Sequence, residues 1–211
     1  MATTFCDAIA IIKRHRGAFV VLNMVFYGLV ALSMVATLHI PELQAPYKPS
    51  TEQAFAHPGL FKTVADAYAN RNLLLAISLT FLVNLIIAAF GMTTLPSFAL
   101  PFVGILAQFY RAFLWGVLFA PIGPLRVTLI PHSLTLLVEG QAHVLAAFAA
   151  YVQARMFLWP HRYGLNSHKA GYKAGVLSTL KLYSLIVLAL LLGAVYEVVE
   201  SVYFMPLLLR H

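Results

Sequence analysis

Charge is what this chain has least of. Asp, Glu, Lys and Arg make up only 10% of its 211 residues, where a soluble domain carries about 25%. Acids are the scarcer sign, with 7 Asp and Glu against 14 Lys and Arg. That poverty argues against a water-soluble enzyme. The formal net charge is +7, but the basic residues collect in particular loops, which points to membrane orientation rather than a nucleic-acid partner. There is one cysteine, Cys6, so an internal disulfide is impossible and a cysteine-built metal site is not expected. No glycine-rich phosphate loop and no His-Glu-x-x-His zinc motif occur. Ser133 has none of the spacing of a nucleophile elbow. Met1–Ile12 is too short for a cleavable leader, and its basic cluster follows it, at Lys13, Arg14 and Arg16. The first apolar run is therefore expected to stay as an anchor.

What the chain does have is apolar length. Hydrophobic residues make up 61% and the mean hydropathy is +0.84. Runs of about 20 apolar residues are long enough to cross a bilayer as helices. Five are expected, over 18–40, 73–90, 98–120, 128–157 and 176–204. The fold class is all-α, a polytopic transmembrane helical bundle. One transmembrane domain covers 18–206, between a short interfacial segment, 1–17, and a tail, 207–211. Residues 91–101 carry Pro96, Pro101 and two threonines and no charge, which suits a tight turn or a re-entrant segment.

The loops orient the chain. Arg155–Lys181 holds Arg155, Arg162, Lys169, Lys173 and Lys181 without an acid, and Lys13, Arg14 and Arg16 flank the first run. In Pro41–Arg71 the bases Lys48, Lys62 and Arg71 are matched by Glu42, Glu52 and Asp66. The positive-inside rule puts the N-terminus and the 155–181 loop in the cytoplasm. An odd number of spans agrees. After Pro58, Leu60, Phe61, Val64 and Tyr68 form the apolar edge of a short interfacial helix.

The most informative stretch is Ile130–Ala150, IPHSLTLLVEGQAHVLAAFAA. It is apolar enough to span, yet carries His132, Glu139 and His143. An ionisable group at membrane depth costs roughly 2.5–3.5 kcal/mol on insertion scales and marks a functional-site candidate. Glu139 and His143 stand four apart and share a helix face, with His132 two turns before. Gly140 and the alanines that follow keep this helix slim, so its polar stripe should face protein. The last run adds Glu197 and Glu200, three apart and on one face. The third adds Arg111, which either snorkels to an interface or pairs with a buried carboxylate. Arg111, His132, Glu139, His143, Glu197 and Glu200 are the expected polar centre. Pro131, Gly104 and Gly140 are the expected packing and conformational positions.

These segments resemble the stage II sporulation protein M family of integral membrane proteins. IPHSLTLLVEGQAHVLAAFAA is similar to the family's Pro-His-Gly…Glu segment. ANRNLLLAISLTFLVNLIIAAF resembles its Asn-bearing second span, and AVYEVVESVYFMP its closing motif. The likeness runs over about Asn70–Pro206. Ser133 replaces the usual glycine, Leu136 stands where the family has its glutamate, and Val103 precedes Gly104 in place of asparagine. Pro131, His132 and Glu197 carry over best; Glu139 does so if the helix register slips by a turn. The resemblance implies a non-catalytic scaffold or accessory subunit of a larger complex in the bacterial inner membrane.

Read from the residues alone, three uses of the polar set stay open. The leading one is structural, with Arg111 neutralising glutamates and the histidines bridging helices. This needs no cofactor, and its expected partners are the lipid bilayer, other membrane subunits or further copies of the chain. The second is an oligomeric proton or ion transporter built on the Glu/His line. The third is a pigment subunit, in which His132 or His143 ligates a metal, haem or chlorin.

Overall fold

A computed structural model describes residues 2–209. They form an all-α bundle with no strand among them. Helix α1, Ala2–Arg14, leads at His15 into α2, Arg16–His39. A 3-10 turn, Pro41–Gln44, and two short helices follow: α3, Lys48–Ala56, and α4, Leu60–Ala69. Helix α5, Leu73–Leu82, continues as a π-helical stretch, Val83–Thr94, and then as α6, Leu95–Ala99. Helix α7 is Val103–Leu118, α8 Leu129–Leu158 and α9 His168–Val199. A second π segment, Glu200–Phe204, and α10, Met205–Leu208, prolong α9.

Four helical stretches are long and apolar enough to cross a membrane: Arg16–His39, Leu73–Ala99, Arg126–Leu158 and His168–Leu208. The chain is a membrane protein. The expected third span is a shorter apolar helix, α7, which at about 1.5 Å per residue falls short of a hydrocarbon core roughly 30 Å thick. It still runs the length of the bundle. Phe102, before its start, meets Tyr151 and Trp159 near the end of α8. Phe119, after its end, packs on His132 near the beginning of α8, with ring centroids 4.5 Å apart. Similar contacts place His15, Phe98 and His168 at that first end. The five long elements therefore alternate in direction.

Three expected boundaries are corrected. Residues 91–101 are mainly helix rather than a turn or re-entrant loop, and only Leu100–Phe102 turns the chain. Thr93 and Thr94 donate their hydroxyls to carbonyls five residues back, Ala88 and Ala89, so side chains reinforce the wide π turn. The basic loop 155–181 is mostly two helix ends. Ser167 caps α9 by accepting from the Ala170 amide, which starts that helix eight residues before the expected 176. Pro206 does not end the last span. It sits in the first turn of α10, where its missing N–H costs nothing. In the expected tail, 207–211, residues 210 and 211 lie outside those described.

Helix α8 is the axis of the fold. In its most apolar window 72% of residues are buried, against 22% in the spans beginning at Arg16 and Leu73. Ala142, Ala146, Ala147, Ala149 and Ala150 are all buried and let other helices close around it. Helix α9 approaches through Gly171 and Gly175, a small-xxx-small pair. A Cβ on Gly175 would lie 3.0 Å from Gln153 Cα. Helices α2 and α7 meet at Gly116, where a Cβ would overlap Ser33 and the Val30 carbonyl. Helix α1 is docked rather than free. Ala8 is fully buried, and Asp7 pairs with Lys181 of α9 at 2.9 Å.

Candidate functional site: a polar cavity near the α8 N-terminus

The polar residues of α7, α8 and α9 meet in one cavity of about 190 Å³. Arg111, His132, Glu139 and Glu197 line it, with Asn84 and Thr80 from the second span and Trp115 and Phe119 from α7 and its end. Phe55, Phe61 and Val64 of α3 and α4 close over it. The expected interfacial helix after Pro58 thus forms part of the cavity wall.

The site is assembled by hydrogen bonds between elements far apart in sequence. Asn84 Nδ2 donates to Glu139 Oε1 at 3.1 Å. The carboxyl groups of Glu139 and Glu197 are hydrogen-bonded to each other. The Tyr68 hydroxyl reaches Glu197 and lies 2.9 Å from Thr80 Oγ1. Burial, with the nearby Glu197, pushes the Tyr68 phenol above its usual range, so it stays protonated and can donate. His132 Nδ1 stands 2.5 Å from Glu200 Oε1, and Glu200 is fully buried. The Tyr196 hydroxyl donates to the Pro131 carbonyl at 3.1 Å.

Local sequence explains several of these positions. Asn84 and Glu200 both stand at the opening of π segments, where the extra residue per turn rotates the side chains that follow. Gly193 on α9 leaves room for Glu139, since a Cβ there would come within 2.6 Å of its Cγ. Gly140 does the same for Tyr27, whose hydroxyl donates to the Leu137 carbonyl at 2.8 Å. Gly104 lies against Ser97, whose hydroxyl accepts from the Gly104 amide at 2.9 Å. Gly104 and Gly140 thus lie at close contacts, while the Pro131 carbonyl accepts from the Tyr196 hydroxyl.

Two expectations are corrected. Arg111 does not snorkel away, and it acts on Glu139 through space without a direct ion pair. It faces the cavity, makes no ion pair among the described residues, and directs Nη2 to Met92 Sδ at 3.9 Å. Asn84, not Arg111, is the direct partner of Glu139. His143 does not line this cavity. It is fully buried one turn past Glu139, edge-on to Trp115 at 5.2 Å, and neither ring nitrogen has a hydrogen-bond partner. The sequence reading did not place Tyr68, Thr80 or Asn84 in the site. No cluster of three or more His, Cys, Asp or Glu with metal-ligand geometry occurs among the described residues.

Comparison with known proteins yields no matching family model, no matching curated protein and no matching solved structure.

Proposed function

We propose that the chain is a non-catalytic scaffold or accessory subunit of a larger membrane assembly, oriented with its N-terminus in the cytoplasm of a bacterial inner membrane. One observation carries the reading: polar side chains from four separate elements are joined to one another across the bundle. Asn84, Glu139, Glu197, Tyr68, His132 and Glu200 tie α4, the second span, α8 and α9 together. Such a clasp fixes helix register, which a scaffold needs in order to present a constant outer face. The resemblance to the stage II sporulation protein M family supports the same reading, since His132 and Glu197, two residues that carry over, line one cavity. The charge asymmetry supports the orientation: Lys13, Arg14, Arg16, Arg155, Arg162, Lys169 and Lys173 gather at the end where α2 and α9 begin and α8 ends.

Purification in mild detergent tests it. The protein should bring stoichiometric partners, and E139A or E197A should lower both its abundance and their recovery. Recovery of the chain alone, as a stable monomer, would oppose the reading.

A second reading, a proton or cation pathway, draws on the facing carboxyl groups of Glu139 and Glu197. A pathway must also continue to the other end. Between His143 and Gln153, α8 contributes Val144, Leu145, Ala146, Ala147, Phe148, Ala149, Ala150 and Val152 to the core, all buried and apolar. Flux in liposomes, lost on E139Q, would favour transport. No flux of any ion would end it.

A further inference from the structure

The face of the bundle between α2 and α9 carries an apolar groove of about 610 Å³. Tyr27 of α2, Leu137, Gln141 and Leu145 of α8, and Leu188 and Leu192 of α9 line it. Leu137, Leu188 and Leu192 are exposed, so the groove opens outward. Exposed leucines on a spanning helix meet lipid tails of the same polarity and call for no partner.

Gln141 differs from them. It stands midway along α8, and its side chain makes no hydrogen bond among the described residues. One turn back, the Leu137 carbonyl already accepts from the Tyr27 hydroxyl at 2.8 Å. A primary amide carries two donors and an acceptor, and hydrocarbon satisfies none of them. A second amide lies at the same depth. Tyr27 reaches Leu137, and Phe19 packs on Phe148 with ring centroids 5.3 Å apart. Asn23 stands between Phe19 and Tyr27 on one stripe of α2, as Gln141 stands between Leu137 and Phe148 on α8. Asn23 Nδ2 donates to the Phe19 carbonyl at 2.8 Å, and its Oδ1 accepts nothing among the described residues.

We propose that two copies of the chain pack through this groove about a two-fold axis along the membrane normal. Helix α2 of each copy lies in the groove of the other, and Gln141 of each donates to Asn23 Oδ1 of the other. A two-fold contact exchanges residues reciprocally, and an axis along the membrane normal keeps Gln141 and Asn23 level across it. The ridge that enters lies beside the groove on the same helix: Val20 and Met24, one turn apart on α2, are 53% and 70% exposed. An acyl chain would fill the same volume and leave both amides unsatisfied. A foreign helix would have to carry a matching polar group at that depth, which a second copy brings by symmetry. The dimer is independent of the scaffold reading and stands with or without other subunits.

Light scattering on the protein in mild detergent should give a particle of two 23.2 kDa chains. Q141L keeps the volume and removes the amide, and should raise the dissociation constant by about tenfold or more. In lipid vesicles, with the native thiol removed as C6S, M24C or V20C should form a disulfide-linked dimer under a copper–phenanthroline oxidant. I86C, exposed on the second span, should not. If Q141L fails to fold, the contrast between the α2 positions and I86C decides, since those variants keep Gln141. A single chain per particle, no cross-link at either α2 position, equal cross-linking at I86C, or unaltered association of folded Q141L would each overturn the proposal. Other subunits bound to a single copy would overturn it too and leave the scaffold reading intact. A dimer free of other subunits would uphold it and leave that reading without support.

Discussion

His132 Nδ1 and Glu200 Oε1 lie 2.5 Å apart although 68 residues separate them in sequence. The pair joins the first turns of α8 to the π segment that ends α9. Glu200 is fully buried, so loss of the imidazole strands a carboxyl group in the interior. H132A is expected to destabilise the protein by about 3–5 kcal/mol, the usual cost of breaking a buried pair from one side. H132A/E200L should recover much of that loss, because no unpartnered polar group is left behind. Denaturation in mixed micelles measures both.

Glycines separate packing from backbone entropy. A Cβ at Gly193 meets Glu139 at 2.6 Å, while one at Gly28 meets nothing within 4 Å. Both residues lie in regular helix. G193A should therefore destabilise by about 1–3 kcal/mol through overpacking. G28A should be neutral or stabilise by up to about 1 kcal/mol, as alanine is the better helix former. Thermal unfolding of the two variants in one detergent distinguishes them, and equal effects would deny the close approach of α9 to Glu139.

His15 supplies a pH dependence outside the spans. Burial, then Arg14 and Arg155, push its imidazole below the usual range. The unfolded chain then takes up this proton at a higher pH than the folded one. Stability from this group is complete above the ordinary imidazole pKa, about 6.5, and is lost as pH falls through that value towards the folded one. The difference in melting temperature between wild type and H15Q should shrink as pH drops from 7 to 5. A constant difference would exclude a neutral, packed His15.

Orientation can be read with the single native thiol. Cys6 is exposed on α1, at the basic end. A membrane-impermeant maleimide should label Cys6 only after the cells are opened. In C6S, the substitution S50C between the first two spans should be labelled from outside intact cells. Labelling of Cys6 in sealed cells would invert the topology.

Much of this architecture was legible in the sequence. Hydropathy and length located the bundle, and the alanine-rich helix carrying His132, Glu139 and His143 marked the axis. Small residues and buried charge both demand protein neighbours, so their coincidence named α8. The partners of each group were harder to read. Which side chain meets Glu139 depends on helix rotation, and the π stretch at Val83–Thr94 shifts that rotation without a signal in apolar periodicity. Asn84 was therefore passed over, and Arg111 was credited with a pairing it does not make. Tyr68 sits in a loop helix that composition alone assigned to the surface. The Gly171/Gly175 pair lay in a stretch whose lysines read as loop, so its packing role was not read.

The convergence of α8 and α9 at Glu139 and Glu197 is tested most directly by a double-mutant cycle on the two residues. Unfolding free energies of wild type, E139L, E197L and E139L/E197L are compared in the same micelles. Coupled residues should give a double mutant less destabilised than the sum of the singles, by about 1 kcal/mol or more. Strict additivity would contradict the contact and, with it, the clasp on which the proposed function depends.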